Sequence, residues 1–108
     1  MTRIVVLGAA GMLGHKVCAE FVRRGHPVVG TVRRPMPRLA GLLPGVELRS
    51  GVDVLEEGAA ERLIAEAQPA VVINAVGVVK QFTQSHDTLA GVNAALPHRL
   101  LRACGRIG

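Results

Sequence analysis

Ile4-Val5-Val6-Leu7 runs directly into Gly8-Ala9-Ala10-Gly11-Met12-Leu13-Gly14, and this junction restricts the fold more than any other stretch of the chain. The apolar run is rich in β-branched residues and too short for a helix, so it reads as a strand buried on both faces in a parallel sheet. A helical pattern follows, with Leu13, Val17 and Phe21 in one row and Gly14, Cys18 and Val22 in a second row beside it. Strand, glycine turn and helix in that order form the setting in which a dinucleotide phosphate is held.

Each glycine has a distinct reason to be there. Gly8 lets the chain leave the strand with a torsion that a side chain opposes. Gly11 carries no Cβ, so a diphosphate gains access to the backbone at Ala10, Gly11, Met12 and Leu13. The first amides of a helix lack intrahelical partners, and the helix dipole places about half a positive charge beside them. Gly14 falls in the first helical turn, where a side chain would hold the helix off the sheet. An ordinary strand-to-helix turn is the plainer reading of three glycines in a chain that has 13. Their place between an apolar strand and a helix favours the phosphate site.

The first gap of the series is one residue longer than in G-x-G-x-x-G. In that spacing the chain resembles the short-chain dehydrogenase/reductase superfamily, in particular its extended branch, which acts largely on nucleotide sugars. The string GAAGMLG is most similar to the dTDP-4-dehydrorhamnose reductase group of that branch. The resemblance implies an α/β fold of Rossmann type: a three-layer parallel sheet of about four strands, order 3-2-1-4, with helices on both faces. It also implies an NAD(P) cofactor.

The chain is 108 residues long, 49% hydrophobic and 19% charged, without repeats or low-complexity tracts, which suits a single globular domain. No apolar run approaches the roughly 20 residues that span a bilayer. Arg3 followed by apolar residues imitates a secretory signal, but Gly8 cuts the apolar stretch, so a cytoplasmic protein with no membrane partner is expected. The formal charge of +5 raises the question of nucleic acid. The basic residues are spread out, their densest group (Arg33, Arg34, Arg38) has no aromatic interleaving, and Trp and Tyr are absent. Stacking platforms are therefore lacking, and a positive field suits an anionic nucleotide equally well. Cys18 and Cys104 have no metal spacing and read as buried, reduced residues. The histidines likewise share no ligand spacing.

The first helix is expected to stop at Arg23-Arg24-Gly25. His26-Pro27 leads to a second buried-type strand, Val28 to Val32, whose end bears on the cofactor. NAD enzymes usually place Asp or Glu there for the ribose 2′-hydroxyl, whereas NADP enzymes place Arg nearby. Here the residues are Thr31-Val32-Arg33-Arg34, with no carboxylate. Two guanidinium groups would grip a 2′-phosphate that a carboxylate would repel, so NADP is expected over NAD. Solvated loop charges are the plainer alternative for either arginine.

Pro35 to Gly45 is a proline-punctuated loop, with Leu39, Leu42 and Leu43 in one short helical turn. Val46 to Ser50 alternates as an edge strand and leads into Gly51-Val52-Asp53-Val54. By the resemblance, Asp53 accepts from the adenine amine and Val54 packs on the base. From residue type alone, Asp53 reads equally as a helix cap. Glu56 to Gln68 is expected as a helix that buries Ala60, Leu63, Ile64 and Ala67, with Glu56 and Glu57 in its first turn and Pro69 as its stop. Ala70 to Ile73 is a fourth strand. It ends in Asn74-Ala75-Val76-Gly77, which resembles the family's Asn-Ala-Ala-Gly-type turn and so implies a place for the nicotinamide half of the cofactor. The Asn74 amide is also suited to tying the strand to its neighbours. A helix over 87–102 is expected to kink at Pro97, which lacks an N–H for the Asn93 carbonyl. The resemblance gives Asn93 a supporting role towards a catalytic lysine.

The family's catalytic Ser or Thr and its Tyr-x-x-x-Lys helix are expected beyond Gly108; these 108 residues contain no tyrosine. The chain thus reads as the N-terminal cofactor-binding part of a longer enzyme that reduces a 4-keto nucleotide sugar and is a homo-oligomer at full length. The alternatives are a non-catalytic NADP-binding regulatory subunit and an epimerase or dehydratase of the same superfamily. A fourth strand with both faces apolar and no fifth neighbour leads us to expect that the segment alone is marginal or associates.

Overall fold

The computed structural model describes residues 3–54, 56 and 58–76. Strands and helices alternate along them: β1 (Ile4–Leu7), α1 (Met12–Arg23), β2 (Val28–Thr31), α2 (Pro37–Leu42), β3 (Val46–Arg49), α3 (Ala59–Ala67) and β4 (Val71–Asn74). The strands form one parallel sheet in the order β3-β2-β1-β4, as the apolar runs and the resemblance imply. Leu7 pairs with both Thr31 and Asn74, so three strands end side by side.

The side-chain alternation of β1 divides the core between the two faces of the sheet. Ile4 and Val6 join Cys18 of α1, Leu39 of α2 and Leu43, while Val5 and Leu7 join Ala60, Leu63, Ile64 and Ala67 of α3. All four β1 residues are buried. β3 is a half-buried edge, as its alternating sequence implies. Because β2 and β3 lie on one side of β1 and β4 on the other, the direction in which strands are added across the sheet reverses between β1 and β4. In open parallel sheets, a crevice opens at that point beyond the carboxyl ends of the strands.

α1 ends where its sequence indicates. The Gly25 amide donates to the Val22 carbonyl and the His26 amide to that of Phe21, closing the last turn in a Schellman arrangement. On its outer side, Arg23 and Arg24 both donate to the Glu20 carboxylate.

Several local expectations need correction. The predicted row of Leu13, Val17 and Phe21 does not face the core as a unit: Leu13 is 63% exposed, and the buried face of α1 is Gly14 and Cys18. The close seating of Gly14 on the turn before it sets that rotation. The helix predicted from Glu56 begins at Ala59, because Gly58 is left-handed (φ 83°) and cannot continue a right-handed turn. Glu56 therefore precedes the helix, and the acidic residue in its first turn is Glu61. Finally, β4 lies one residue later than the predicted Ala70 to Ile73. The short turn expected around Leu39 is a six-residue helix that buries Leu39, with Leu43 buried just after it and Leu42 left 67% exposed.

Candidate functional site

Gly8 leaves β1 with φ 86°, a left-handed conformation that favours glycine. Two successive amides then find acceptors on a single residue of the neighbouring strand. Gly8 N–H donates to the Thr31 hydroxyl at 3.1 Å, and Ala9 N–H donates to the Thr31 carbonyl at 2.9 Å. The Gly8 carbonyl in turn accepts from Gly11 N–H at 3.2 Å. A Cβ at Gly14 would stand 1.9 Å from that same carbonyl oxygen. The third glycine is thus required by the turn itself, a closer constraint than the helix-to-sheet spacing predicted for it.

α1 opens with Gly11 as N-cap and no side-chain cap for the amides of Met12, Leu13 and Gly14. No acidic residue occupies that first turn. A Cβ placed on Gly11 would meet only the Gly8 oxygen, at 3.6 Å. Open space therefore lies in front of an uncapped helix start, and its partial positive charge is not offset.

The turn after β4 closes the other side. Ala75 N–H donates to the Leu7 carbonyl at 2.9 Å, and Val76 N–H donates to Asn74 Oδ1 at 3.1 Å. The Asn74 oxygen therefore shapes its own turn, and the tie to β1 predicted for its amide is made instead by the Ala75 backbone. A Cβ on Gly8 would come within 3.0 Å of the Val76 side chain, so the two motifs read separately from the sequence meet at the reversal point.

Between them lies a cleft of about 410 Å³. Gly8, Ala10 and Gly11 line one end, Arg33 and Arg34 another, and Val52, Val54, Ala75 and Val76 supply apolar wall. All of these except Val52 are predicted site residues, and they are the ones the fold brings together. Met12 and Leu13 are largely exposed, Gly14 is buried, and none of the three forms part of the cleft lining. Asp53 is half-buried between Val52 and Val54 and is not in the lining either. It does not cap α3, whose N-cap is Gly58. Gly77, Asn93, Pro97 and the expected helix over 87–102 lie outside the described residues.

Arg33 and Arg34 are exposed, and neither pairs with a carboxylate among the described residues. Among the described residues, the cleft lining contains no acidic side chain. An uncapped helix start and two guanidinium groups give it a positive field, which suits a ligand with well-separated anionic groups. Thr31, Val32, Met36 and Val52 also line the cleft, and sequence reasoning had not placed them there. A hydroxyl at the end of an otherwise apolar strand was the available signal for Thr31. It is the one buried polar side chain among the described residues, 1% exposed.

Comparison with known proteins agrees with this geometry. The sequence model of the NAD dependent epimerase/dehydratase family matches residues 4–108. A dTDP-4-dehydrorhamnose reductase of Mycobacterium tuberculosis is 31% identical over 108 residues, which cover 98% of this chain and 30% of that protein. The chain thus spans about a third of the length of this curated relative. The Bordetella bronchiseptica enzyme WbmG, solved in complex with NAD, superposes with a TM-score of 0.81 at 19% identity, covering 99% of this chain and 34% of that one. A Stenotrophomonas maltophila UDP-glucose-4-epimerase, with bound NAD and formylated UDP-arabinopyranose, superposes at 0.77 with 18% identity, covering 97% and 34%. At these identities the structural likeness establishes a shared fold.

Proposed function

Because the chain belongs to the NAD dependent epimerase/dehydratase family, we propose that it forms the NADP(H)-binding part of a longer oxidoreductase that reduces a 4-keto nucleotide sugar. One observation carries this reading: a single cleft is lined by the glycine turn and by Arg33 and Arg34, with no carboxylate in its lining among the described residues. A diphosphate fits the open space before Gly11, where the Met12, Leu13 and Gly14 amides have no cap. Arg33 and Arg34 then take the 2′-phosphate through charge-assisted hydrogen bonds. Val54 packs on the adenine, with Asp53 as acceptor for its amine, and Asn74, Ala75, Val76 and Gly77 border the nicotinamide end.

When bound, the reduced nicotinamide supplies the hydride for the keto carbon. The work of this chain is to bind and orient: Gly8, Ala10 and Gly11 bring the backbone close, and the two arginines select the phosphorylated coenzyme. The proton is assigned to a Tyr-x-x-x-Lys pair in the remainder of the full-length protein, since these residues contain no tyrosine. The 31% identity to a dTDP-4-dehydrorhamnose reductase supports the choice of substrate class. A cytoplasmic homo-oligomer without nucleic-acid or membrane partners belongs to the same proposal. Among the described residues, no helix is long and apolar enough to cross a membrane.

A second reading, an epimerase or dehydratase that retains NAD, is favoured by the family description and by the NAD in both structural neighbours. Arg33 and Arg34, at the end of the strand where an acid usually marks NAD, weigh against it. The two readings separate in one assay: the full-length protein is mixed with a dTDP-4-keto sugar and either NADPH or NADH, and coenzyme oxidation is followed. Oxidation with NADPH preferred by roughly 100-fold in kcat/KM, about two charge-assisted hydrogen bonds' worth, supports the reductase. Interconversion of sugars without net coenzyme oxidation, or a preference for NADH, overturns it.

A further inference from the structure

We infer that Thr31 is a positioning residue for the diphosphate cradle, acting through the Gly8 turn rather than by touching the coenzyme; the inference rests on the cofactor reading proposed above. In a regular parallel ladder, one strand carbonyl accepts one amide from its neighbour. Here Thr31 accepts two consecutive amides, that of Gly8 on its hydroxyl at 3.1 Å and that of Ala9 on its carbonyl at 2.9 Å. These amides belong to the two peptide planes on either side of Gly8 Cα, so one residue fixes the orientation of both. The second plane carries the Gly8 carbonyl, which accepts from Gly11 and lies against Gly14 so tightly that no Cβ fits between them. The hydroxyl holds the first plane and so the torsion at Gly8 from which the second plane departs; its loss is therefore passed through the Gly8 carbonyl to the start of α1 and to the amides that await the phosphates.

The hydroxyl is suited to this because it is buried. Thr31 is 1% exposed and Gly8 is half-buried, so water replaces a lost acceptor of the Gly8 amide only in part. A valine preserves the β-branched shape and the strand preference but leaves the Gly8 amide without its acceptor. Neither Arg33 nor Arg34 depends on this bond, so the 2′-phosphate end of the cleft is expected to be insensitive to it.

The test compares wild type, Thr31→Val and Thr31→Ser in the full-length protein, with NADPH, adenosine 2′-monophosphate and amide hydrogen exchange as probes. The monophosphate engages the arginine end and has no diphosphate. The expected result is that Thr31→Val weakens NADPH binding about tenfold, leaves the monophosphate within about twofold of wild type, and speeds exchange at Gly8. Thr31→Ser is expected to restore both NADPH affinity and exchange protection. Unchanged NADPH affinity in Thr31→Val, equal losses for both ligands, or failure of Ser to restore binding would each overturn the assignment. Exchange separates this from the cofactor reading. A wild-type protein that binds no coenzyme overturns the function proposed above, while a Gly8 amide equally protected in wild type and Thr31→Val overturns the role of Thr31.

Discussion

On one side of the cleft the polar groups are main-chain amides, held between β1, α1 and Thr31. On the other they are the guanidinium groups of Arg33 and Arg34, exposed beyond the end of β2. The first wall is built from residues with almost no side chain, and its orientation is settled when the sheet forms. The second must restrict two long side chains when a ligand arrives, against about 2 kcal/mol of rotamer entropy for each free arginine. Salt screens exposed charges strongly and fixed, partly buried dipoles much less. On the function proposed above, the glycine wall would supply affinity common to any dinucleotide, and the arginine wall discrimination that varies with ionic strength.

The largest effect is expected from breaking the glycine wall. Gly14→Ala puts a Cβ 1.9 Å from the Gly8 carbonyl oxygen, a backbone atom that cannot swing aside. Destabilisation of about 3 kcal/mol is expected, the upper part of the usual range for overpacking. Equilibrium urea denaturation measures it, and a midpoint equal to that of wild type would show that the turn is looser than described. Next comes the arginine wall. Replacing Arg33 and Arg34 with alanine should weaken NADPH about 100-fold and leave NADH within about twofold, since charged hydrogen bonds contribute roughly 1.5–3 kcal/mol each before screening. Calorimetric titration at low and high salt should show the NADPH advantage of the wild type shrinking as salt rises.

A smaller effect concerns the support beneath the glycine wall. Cys18 is fully buried on the inner face of α1, and burial pushes its thiol up to about 11. Because the folded value is raised, its contribution to stability is intact below about pH 9, the range where an unfolded thiol starts to ionise. That contribution is lost as pH climbs towards about 11. Denaturation midpoints measured across that window should fall less steeply in Cys18→Ala than in wild type; parallel slopes would contradict the buried placement. The smallest effect lies on the outer side of α1. Hydrogen bonds from Arg23 and Arg24 hold the Glu20 carboxyl down to about 2, yet all three side chains stand in solvent. Exposed pairs of this kind contribute little, so Glu20→Gln should leave the urea midpoint unchanged.

The same contrast explains what the sequence made legible. β1, its glycine turn and the face of α3 were readable because apolar period and glycine spacing are local signals, and the structure realises them at Ile4–Leu7 and at Ala60, Leu63, Ile64 and Ala67. The strand order followed from buried-type runs and from resemblance. Arg33 and Arg34 were legible as charge. Their presence in the same cleft as Gly8 depends on the β1–β2 register, which composition does not reveal. Thr31 was missed because threonine in an apolar strand looks like any β-branched residue; only three-dimensional pairing shows its hydroxyl beneath the Gly8 amide. The delayed start of α3 had a visible cause in Gly58, but whether a glycine turns left-handed is decided by its surroundings. Leu13 illustrates the reverse: its period matched the core, and the close seating of Gly14 turned it outward.

The central claim is that one dinucleotide spans both walls, and a crystal structure of the full-length protein with NADP+ tests it most directly. The account predicts diphosphate oxygens within hydrogen-bonding distance of the Met12 and Leu13 amides, with the 2′-phosphate between Arg33 and Arg34. A diphosphate seated away from the start of α1, or a 2′-phosphate turned into solvent with both arginines free, would contradict it.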